Sequence, residues 1–335
     1  SNSEIYQVME ECEAINGNSP ITFFEITTAI AFVLFSRYPG DLAILETGLG
    51  GRLDATNVIE TPQVTALTSI SMDHKEYLGE NICDIAREKA AIMRSGVSCV
   101  VALQKQEVKE VINDVAESLG STCFYQEEHW CYWKEDNYFH LDNGYRKGRF
   151  RLPNLLGEHQ IQNAAQAITC LDTSRVHKFK TEEINEGLRK VEWSGRLQRL
   201  RHGPIFEFLP SEWEIWLDGG HNIGSAEALM GQFSKWQDKP LCGIFGMLGQ
   251  KEPEAIIHKI GGYFDFVCTV AIQNSSNTYS AIDLSGFFNQ KGVPSKPVDS
   301  IKDGIKEIVR ANNIPSRIII MGSLSLVGAV LEEHG

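Results

Sequence analysis

The sequence predicts an α/β fold in two domains, and three observations carry that expectation. Short apolar, β-rich runs alternate with helical patterns, the signature of mainly parallel sheets. At about 150 residues per domain, the 335 residues suit two domains. The alternation also restarts after an amphipathic stretch that ends at Val191. The elements follow in order. A helix is expected near Thr22–Ser36, then strands at Leu42–Glu46 and Val64–Ile70, a helix over Asn81–Arg94, and a strand at Val97–Leu103. The helix Lys105–Leu119 comes next. From His129 to Leu152 aromatic and polar residues alternate around Asn143-Gly144, which reads as a β-hairpin. Helices Glu158–Leu171 and Thr181–Val191 close the first domain, residues 1–191. The second, residues 192–335, holds strands at Ile215–Asp218, Leu241–Gly246, Phe266–Ile272 and Arg317–Met321, with helices at Ser225–Trp236 and Ile301–Ala311. No internal repeat or low-complexity tract interrupts them.

Composition narrows the function. With 42% hydrophobic residues, 22% charged residues, 29 Gly and 11 Pro, the chain is neither collagenous, disordered nor a disulfide-stapled miniprotein. A net charge of −13 argues against a general nucleic-acid or anionic-membrane partner, since Lys and Arg drive both kinds of binding. A small anionic substrate stays possible in a local cationic or metal-bearing pocket. The eight cysteines form no C-x-x-C pair and mostly sit in apolar runs, so a reducing cytoplasm is expected rather than a zinc site or a disulfide framework. No apolar stretch reaches the ~20 residues of a membrane span, and no signal peptide is read at the start. The opening Ser1-Asn2-Ser3 reads as a cloning scar, and an N-terminally shortened chain is expected.

Several segments carry chemistry. The apolar run ending at Glu46 leads into Thr47-Gly48-Leu49-Gly50-Gly51-Arg52-Leu53-Asp54-Ala55-Thr56-Asn57. That places a carboxylate at the ligand-binding edge of a sheet, where it suits Mg²⁺, beside glycines that allow close backbone approach. A solvated Glu in a tight connection explains it equally well. Asp73-His74 follows another apolar strand and could serve a metal or a phosphate, although a loop-capping pair is the commoner explanation. On a helical wheel from Asn81, Lys89 falls at the centre of the face formed by Ile82, Ile85, Ala86, Ile92 and Met93. Such a lysine snorkels, pairs or loses its charge, and a neutral amine can add CO₂ to become a carbamate. Ile215–Asp218 runs into Gly219-Gly220-His221-Asn222 and a helix, which sets Asp218 and His221 beside free amides suited to an anion, or simply makes a capped turn. Arg196 adds a loop cation, and Asn163 lies off the apolar stripe of its helix.

Together these segments resemble the folylpolyglutamate synthase/dihydrofolate synthase family, relatives of the Mur ligases. The matching text is Phe23–Ala29, Glu46–Asn57, SISMDHKEYLG (69–79), Glu88-Lys89-Ala90 and LLGEHQIQNAA (155–165). It continues with WSGRL (193–197), LDGGHN (217–222), FGMLGQKE (245–252) and MGSLSLVG (321–328). The resemblance implies a Mur-ligase-type ATPase domain with a mostly parallel sheet, helices on both faces and a β-hairpin region, followed by a Rossmann-like ligase domain. It implies ATP-dependent addition of L-glutamate to dihydropteroate or reduced folates through an acyl phosphate, with Mg²⁺. It further implies Glu46, His74 and a carbamylated Lys89 as metal ligands, and Lys89, Asp218 and His221 as the catalytic set. Asn163, Arg196, Asp218, His221 and Ser323 would bind ATP, Asp54 and Ala55 the pterin, and the full-length form would be a monomer.

The departures are Trp193-Ser194-Gly195-Arg196 for W-P-G-R, Asp218-Gly219-Gly220-His221-Asn222-Ile223 for D-G-A-H-N-P, and the lack of any Gly-Lys dipeptide, hence of a G-x-x-x-x-G-K-[ST] loop. The ATPase domain is therefore expected to be incomplete and the chain inactive by itself. A Mur-type amino-acid ligase and a non-catalytic folate- or partner-binding paralogue are the competing expectations.

Overall fold

The computed structural model describes residues 2–249, 251–273, 275 and 277–334. Gln250 of the FGMLGQKE motif and Ser1 lie outside the described residues. Two compact units emerge, one of residues 1–70 and 74–128, the other of residues 71–73 and 129–335. They do not divide at 191/192: the hairpin region and the two helices after it group with the C-terminal sheet.

The first unit contains α1 (Asn2–Asn16), α2 (Phe23–Arg37), β1 (Thr65–Leu67), α3 (Lys75–Leu78), α4 (Ile82–Ala90), β2 (Ser98–Val101), α5 (Gln106–Leu119) and β3 (Thr122–Tyr125). Thr22 and Glu25 form a reciprocal capping box that starts α2, and Asn81 caps α4 through the Asp84 amide. The three strands make a parallel sheet in the order β1-β2-β3. Ile85, Ala86 and Met93 from α4 and its exit are fully buried, as are Val108 and Ile112 of α5. Leu42–Glu46, expected as a strand, forms no strand among the described residues, and Ile44 is 85% exposed. A parallel strand is defined by ladders to its neighbours, and none of the described residues supplies one here. The apolar pattern alone therefore does not make a strand.

The second unit opens with β4 (Cys131–Glu135), β5 (Tyr138–Asp142) and β6 (Lys147–Arg151), an antiparallel meander with one strand more than the expected hairpin. Phe139, Leu141 and Phe150 form its buried face. Asn143 shapes the second turn by accepting from the amides of Tyr145 and Arg146, while Arg146 forks onto Asp172. Next come α6 (Glu158–Ser174) and α7 (Thr181–Lys190). The chain continues through β7 (Gln198–Leu200), β8 (Glu214–Asp218), α8 (Ile223–Phe233), β9 (Leu241–Phe245), α9 (Pro253–Ile260), β10 (Phe266–Thr269), α10 (Ala281–Gln290), β11 (Ser295–Pro297), α11 (Ile301–Ala311), β12 (Arg317–Met321) and α12 (Leu324–His334).

These strands order as β11-β10-β9-β12-β8-β7, parallel except for β7. Both faces of the sheet are covered. Ile319 and Met321 of β12 pack with Leu229, Phe233, Ile257 and Phe288 of α8, α9 and α10. Ile318 and Ile320 face Ile305, Ile308, Leu326 and Val330 of α11 and α12. Strand period 2 thus gives one strand two buried sides, the doubly wound arrangement that the near-continuous apolar runs anticipate.

Candidate functional site

In the first unit the glycine-rich loop is built around Asp54. Its carboxylate accepts from the amides of Gly48 (2.8 Å) and Leu49 (2.9 Å), and from both the amide (2.9 Å) and the hydroxyl (2.6 Å) of Thr56. Burial works against the charge, but the Thr56 hydroxyl and the three amides outweigh it and hold the carboxyl below its ordinary value. Gly51 lies directly on α4: a Cβ there would come within 2.7 Å of the Glu88 carbonyl and 3.2 Å of the Lys89 Cα. The Arg52 amide donates to that same Glu88 carbonyl, and the Arg52 side chain pairs with the Glu88 carboxylate at 2.9 Å. The loop is thereby seated on the helical turn that carries Lys89.

The expected metal ligands sit in different settings. Glu46 is exposed just ahead of the glycine-rich loop. His74 is partly buried in a left-handed conformation (φ 51°) just ahead of α3. Lys89 is partly buried on α4 rather than fully enclosed, and the Gly51 backbone packs close to its Cα. Among the described residues no three His, Cys, Asp or Glu side chains gather where they could hold a metal. The donor types nevertheless suit a divalent ion that keeps waters: one carboxylate, one imidazole, and an amine that becomes an oxygen donor on carbamylation.

In the second unit Asp218 and Ser323 lie at the carboxyl ends of adjacent strands, whereas Asn163 stands on α6. β12 pairs with both β8 and β9, so Asp218, Gly246 and Gly322-Ser323 leave the sheet side by side. Ligands of open α/β sheets bind at such an edge. Asp218 is buried and accepts from the Leu197 amide (2.9 Å) and the Gly220 amide (2.7 Å). Burial raises its carboxyl, while those two amides and the Arg196 charge pull the other way. The Gly195–Leu197 turn runs through left-handed conformations at Gly195 (φ 69°) and Leu197 (φ 42°), and the Gly195 carbonyl takes the Gly219 amide at 2.8 Å. Arg196 reaches past Gly219, where a Cβ would lie 3.1 Å from Nη1.

His221 Nδ1 lies 2.9 Å from the Gly219 carbonyl, and Nε2 lies 3.7 Å from Asp73. Asn222 and Ser225 cap α8 reciprocally. Asn163 Nδ2 donates to Gln160 Oε1 (3.2 Å) on the first turns of α6. The His159 imidazole beside them is held below its ordinary pKa by burial and by Arg196. Ser323 is buried and its hydroxyl accepts the Ser325 amide (3.1 Å), which opens α12. Gly322 (φ 110°) admits no side chain, since a Cβ would meet the Gly246 carbonyl at 2.5 Å.

Sequence reasoning assigned no role to Lys251. Its Nζ pairs with Asp73 Oδ1 at 2.6 Å, and Asp73 Oδ2 accepts Asn222 Nδ2 at 2.8 Å. The pair spans 178 positions: each partner lies in a motif quoted above, but their pairing is visible only in the fold.

The chain falls in the Mur ligase superfamily, whose middle domain model matches residues 7–171. More narrowly, the chain belongs to the dihydrofolate synthase/folylpolyglutamate synthase family. It is 33% identical over 335 aligned positions to the dihydrofolate synthase/folylpolyglutamate synthase of Bacillus subtilis, covering 92% of this chain and 71% of that one. Escherichia coli FolC in complex with DHPP and ADP superposes with a TM-score of 0.87 at 26% identity, over 99% of this chain and 75% of that one. The bifunctional synthase from Yersinia pestis, complexed with AMPPNP and Mn ion, gives a TM-score of 0.85 at 27% identity, over 99% and 76%. No helix among the described residues is long and apolar enough to cross a membrane.

Proposed function

We propose that this family member ligates L-glutamate to dihydropteroate and to reduced folates at the expense of ATP. The observation that carries the reading is family membership: one relative named for both activities is 33% identical across almost the whole chain. In this reading residues 1–191 act as the ATPase domain and residues 192–335 as the glutamate-ligase domain. Transfer of the terminal phosphoryl group to the substrate carboxylate makes an acyl phosphate. The glutamate amine then attacks its carbonyl carbon, the amide forms, and phosphate leaves beside ADP.

Asn163, Arg196, Asp218, His221 and Ser323 are assigned to the nucleotide. Asp218, whose orientation two backbone amides fix, offers a preset acceptor for a ligand hydroxyl. Asp54 and Ala55 are assigned to the pterin, with Asp54 holding the shape of the loop that receives it. Glu46, His74 and Lys89, the last as a carbamate, would hold Mg²⁺. Such an ion, when bound, stabilises charge on the transferred phosphoryl oxygens. Lys89, Asp218 and His221 form the proposed catalytic set, and catalysis rests on positioning and charge stabilisation. We place the activity in the cytoplasm, with a monomeric full-length form.

No Gly-x-x-x-x-Gly-Lys-Ser/Thr occurs in the 335 residues, so these residues alone are expected to turn over negligibly while still binding their small ligands. Calorimetric titration of dihydropteroate and of ADP with Mg²⁺, run beside a glutamate-dependent ADP-release assay, tests both parts. Saturable pterin binding without turnover is the expected result. Robust folate- and glutamate-dependent ADP release would overturn the inactivity, and binding of a UDP-muramyl substrate with none of pteroate would overturn the substrate class.

A further inference from the structure

We propose that Cys99 and Cys123 are a reversible thiol–disulfide pair, closed by a peroxide and reopened by a dithiol reductant. They are Cα partners in the parallel register of β2 and β3, so their side chains leave the same face of the sheet. Adjacent strands run about 4.8 Å apart, inside the 4.4–6.8 Å Cα separation that disulfides span. Cys99 is fully buried on the central strand, while Cys123 stands partly exposed on the edge strand. The fully buried Met93 brings its sulfur to 3.7 Å from Cys123 Sγ, completing a cluster of three sulfurs.

The electrostatics agree with the geometry. A hydrogen bond from Cys99, with a second from Tyr125, outweighs burial and brings the Cys123 thiol down to about 7, the direction that favours the nucleophilic form. Other cysteines behave oppositely: burial pushes Cys170, Cys242 and Cys268 up to about 12. Cys242 and Cys268 also lie on neighbouring parallel strands, but out of register, with Cys242 opposite Phe266 and Cys268 opposite Ile244. The fold therefore contains its own comparison, two cysteines on adjacent strands that lack both the register and the thiolate.

The chemistry balances with peroxide as the oxidant. The Cys123 thiolate attacks one peroxide oxygen, an S–O bond forms as the O–O bond breaks, and hydroxide departs to be protonated to water. Cys99 sulfur then attacks the sulfenic sulfur, the S–S bond forms, the S–O bond breaks, and the thiol proton leaves with the oxygen as a second water. Two thiols and one peroxide give one disulfide and two waters. A low-pKa thiol beside a resolving thiol is the arrangement redox-sensing cysteines share, and a reducing compartment keeps such a pair open by default. The inference rests on the first unit alone and is independent of the ligase reading.

The test uses the intact chain. After hydrogen peroxide treatment and alkylation of the remaining thiols, non-reducing peptide mass spectrometry should show Cys99 linked to Cys123 with loss of two hydrogens. Dithiothreitol should reverse the link, and Cys242 and Cys268 should remain reduced. In the Cys99→Ser variant, Cys123 should instead accumulate one or two oxygens and become trappable by dimedone. On the unmodified chain at neutral pH, iodoacetamide should label Cys123 about tenfold faster than Cys131, which is also partly buried. A Cys123 that goes to a stable sulfinic acid with Cys99 present, pairs with another cysteine, or alkylates no faster than Cys131 would overturn the proposal.

Discussion

Replacing Glu214 with Gln removes one charge from an ionic network whose centre, Glu214 with Arg317, is enclosed. Glu214 and Arg317 are register partners at the start of β8 and β12, their side chains only 10% and 6% exposed. Arg317 Nε donates to Glu214 at 2.8 Å, Trp216 Nε1 at 3.1 Å and Lys239 Nζ at 3.1 Å, while Arg317 also forks onto Asp238. Burial opposes the Glu214 charge, yet these donors hold its carboxyl down from 4.5 to about 2. At about 1.4 kcal/mol per pKa unit, the depression is worth about 3 kcal/mol of folding stability at neutral pH.

The sign follows from proton binding. The unfolded chain takes up the proton more readily, so the stabilisation is complete above about 4.5 and is lost as the pH falls toward 2, with less than half left by about pH 3. Urea unfolding followed by tryptophan fluorescence measures it. Glu214→Gln should cost about 3 kcal/mol at pH 7, and the gap to the unsubstituted chain should narrow on acidification. A gap under about 0.5 kcal/mol at pH 7, or one that does not change between pH 7 and pH 3, would refute the reasoning.

Other perturbations bear on the site directly. Gly51→Ala places a methyl 2.7 Å from the Glu88 carbonyl, so the glycine loop must lift from α4. Pterin affinity by calorimetry should fall at least about tenfold, with global stability lowered by about 1–3 kcal/mol. Asp54→Ala removes the acceptor of four hydrogen bonds, and amide exchange at Gly48, Leu49 and Thr56 should speed up markedly at pH 6. In the unsubstituted chain the same protection should persist above about pH 4 and fade only below it, because the Asp54 carboxyl is depressed in the folded state. Asp218→Asn keeps the size but removes the charge held by two amides, and should weaken Mg-ADP binding by about 1–3 kcal/mol in calorimetry while leaving the fold intact. Lys251→Met should strip Asp73 of its 2.6 Å partner and lower the urea midpoint by the equivalent of about 1–3 kcal/mol.

Where periodicity is strong and self-contained, the sequence was a good guide. The expected bounds of Ile301–Ala311 and Arg317–Met321 coincide with α11 and β12, because an amphipathic helix and an all-apolar central strand each declare their period within one window. Leu42–Glu46 shows the opposite case, since its apolar run says nothing about whether a neighbour exists to pair with it. Short edge elements such as β7 and β11, three residues each, carry too little pattern to register.

The site divides the same way. Asp218 was legible as a carboxylate ending a strand before a helix-capping turn, a wholly local pattern. Asp54 was singled out only through family resemblance; its four-bond role depends on the loop closing around it. Lys251 lies in the quoted FGMLGQKE stretch, but its pairing with Asp73 arises from tertiary contact alone.

Only three residues, Ser71–Asp73, leave the first unit's stretch of sequence to group with the second. The two bodies therefore cannot be obtained as separate polypeptides by one cut. A break at 128/129 would yield a C-terminal piece without Asp73, depriving both Lys251 and Asn222 of their acceptor. The packing surface that Ser71 provides against Gly224 would go with it. A gene split there would need to supply this tripeptide to the second unit in trans. For an evolving lineage the same threading makes the pair of units heritable as a single piece, resistant to the domain shuffling that a simple linker permits.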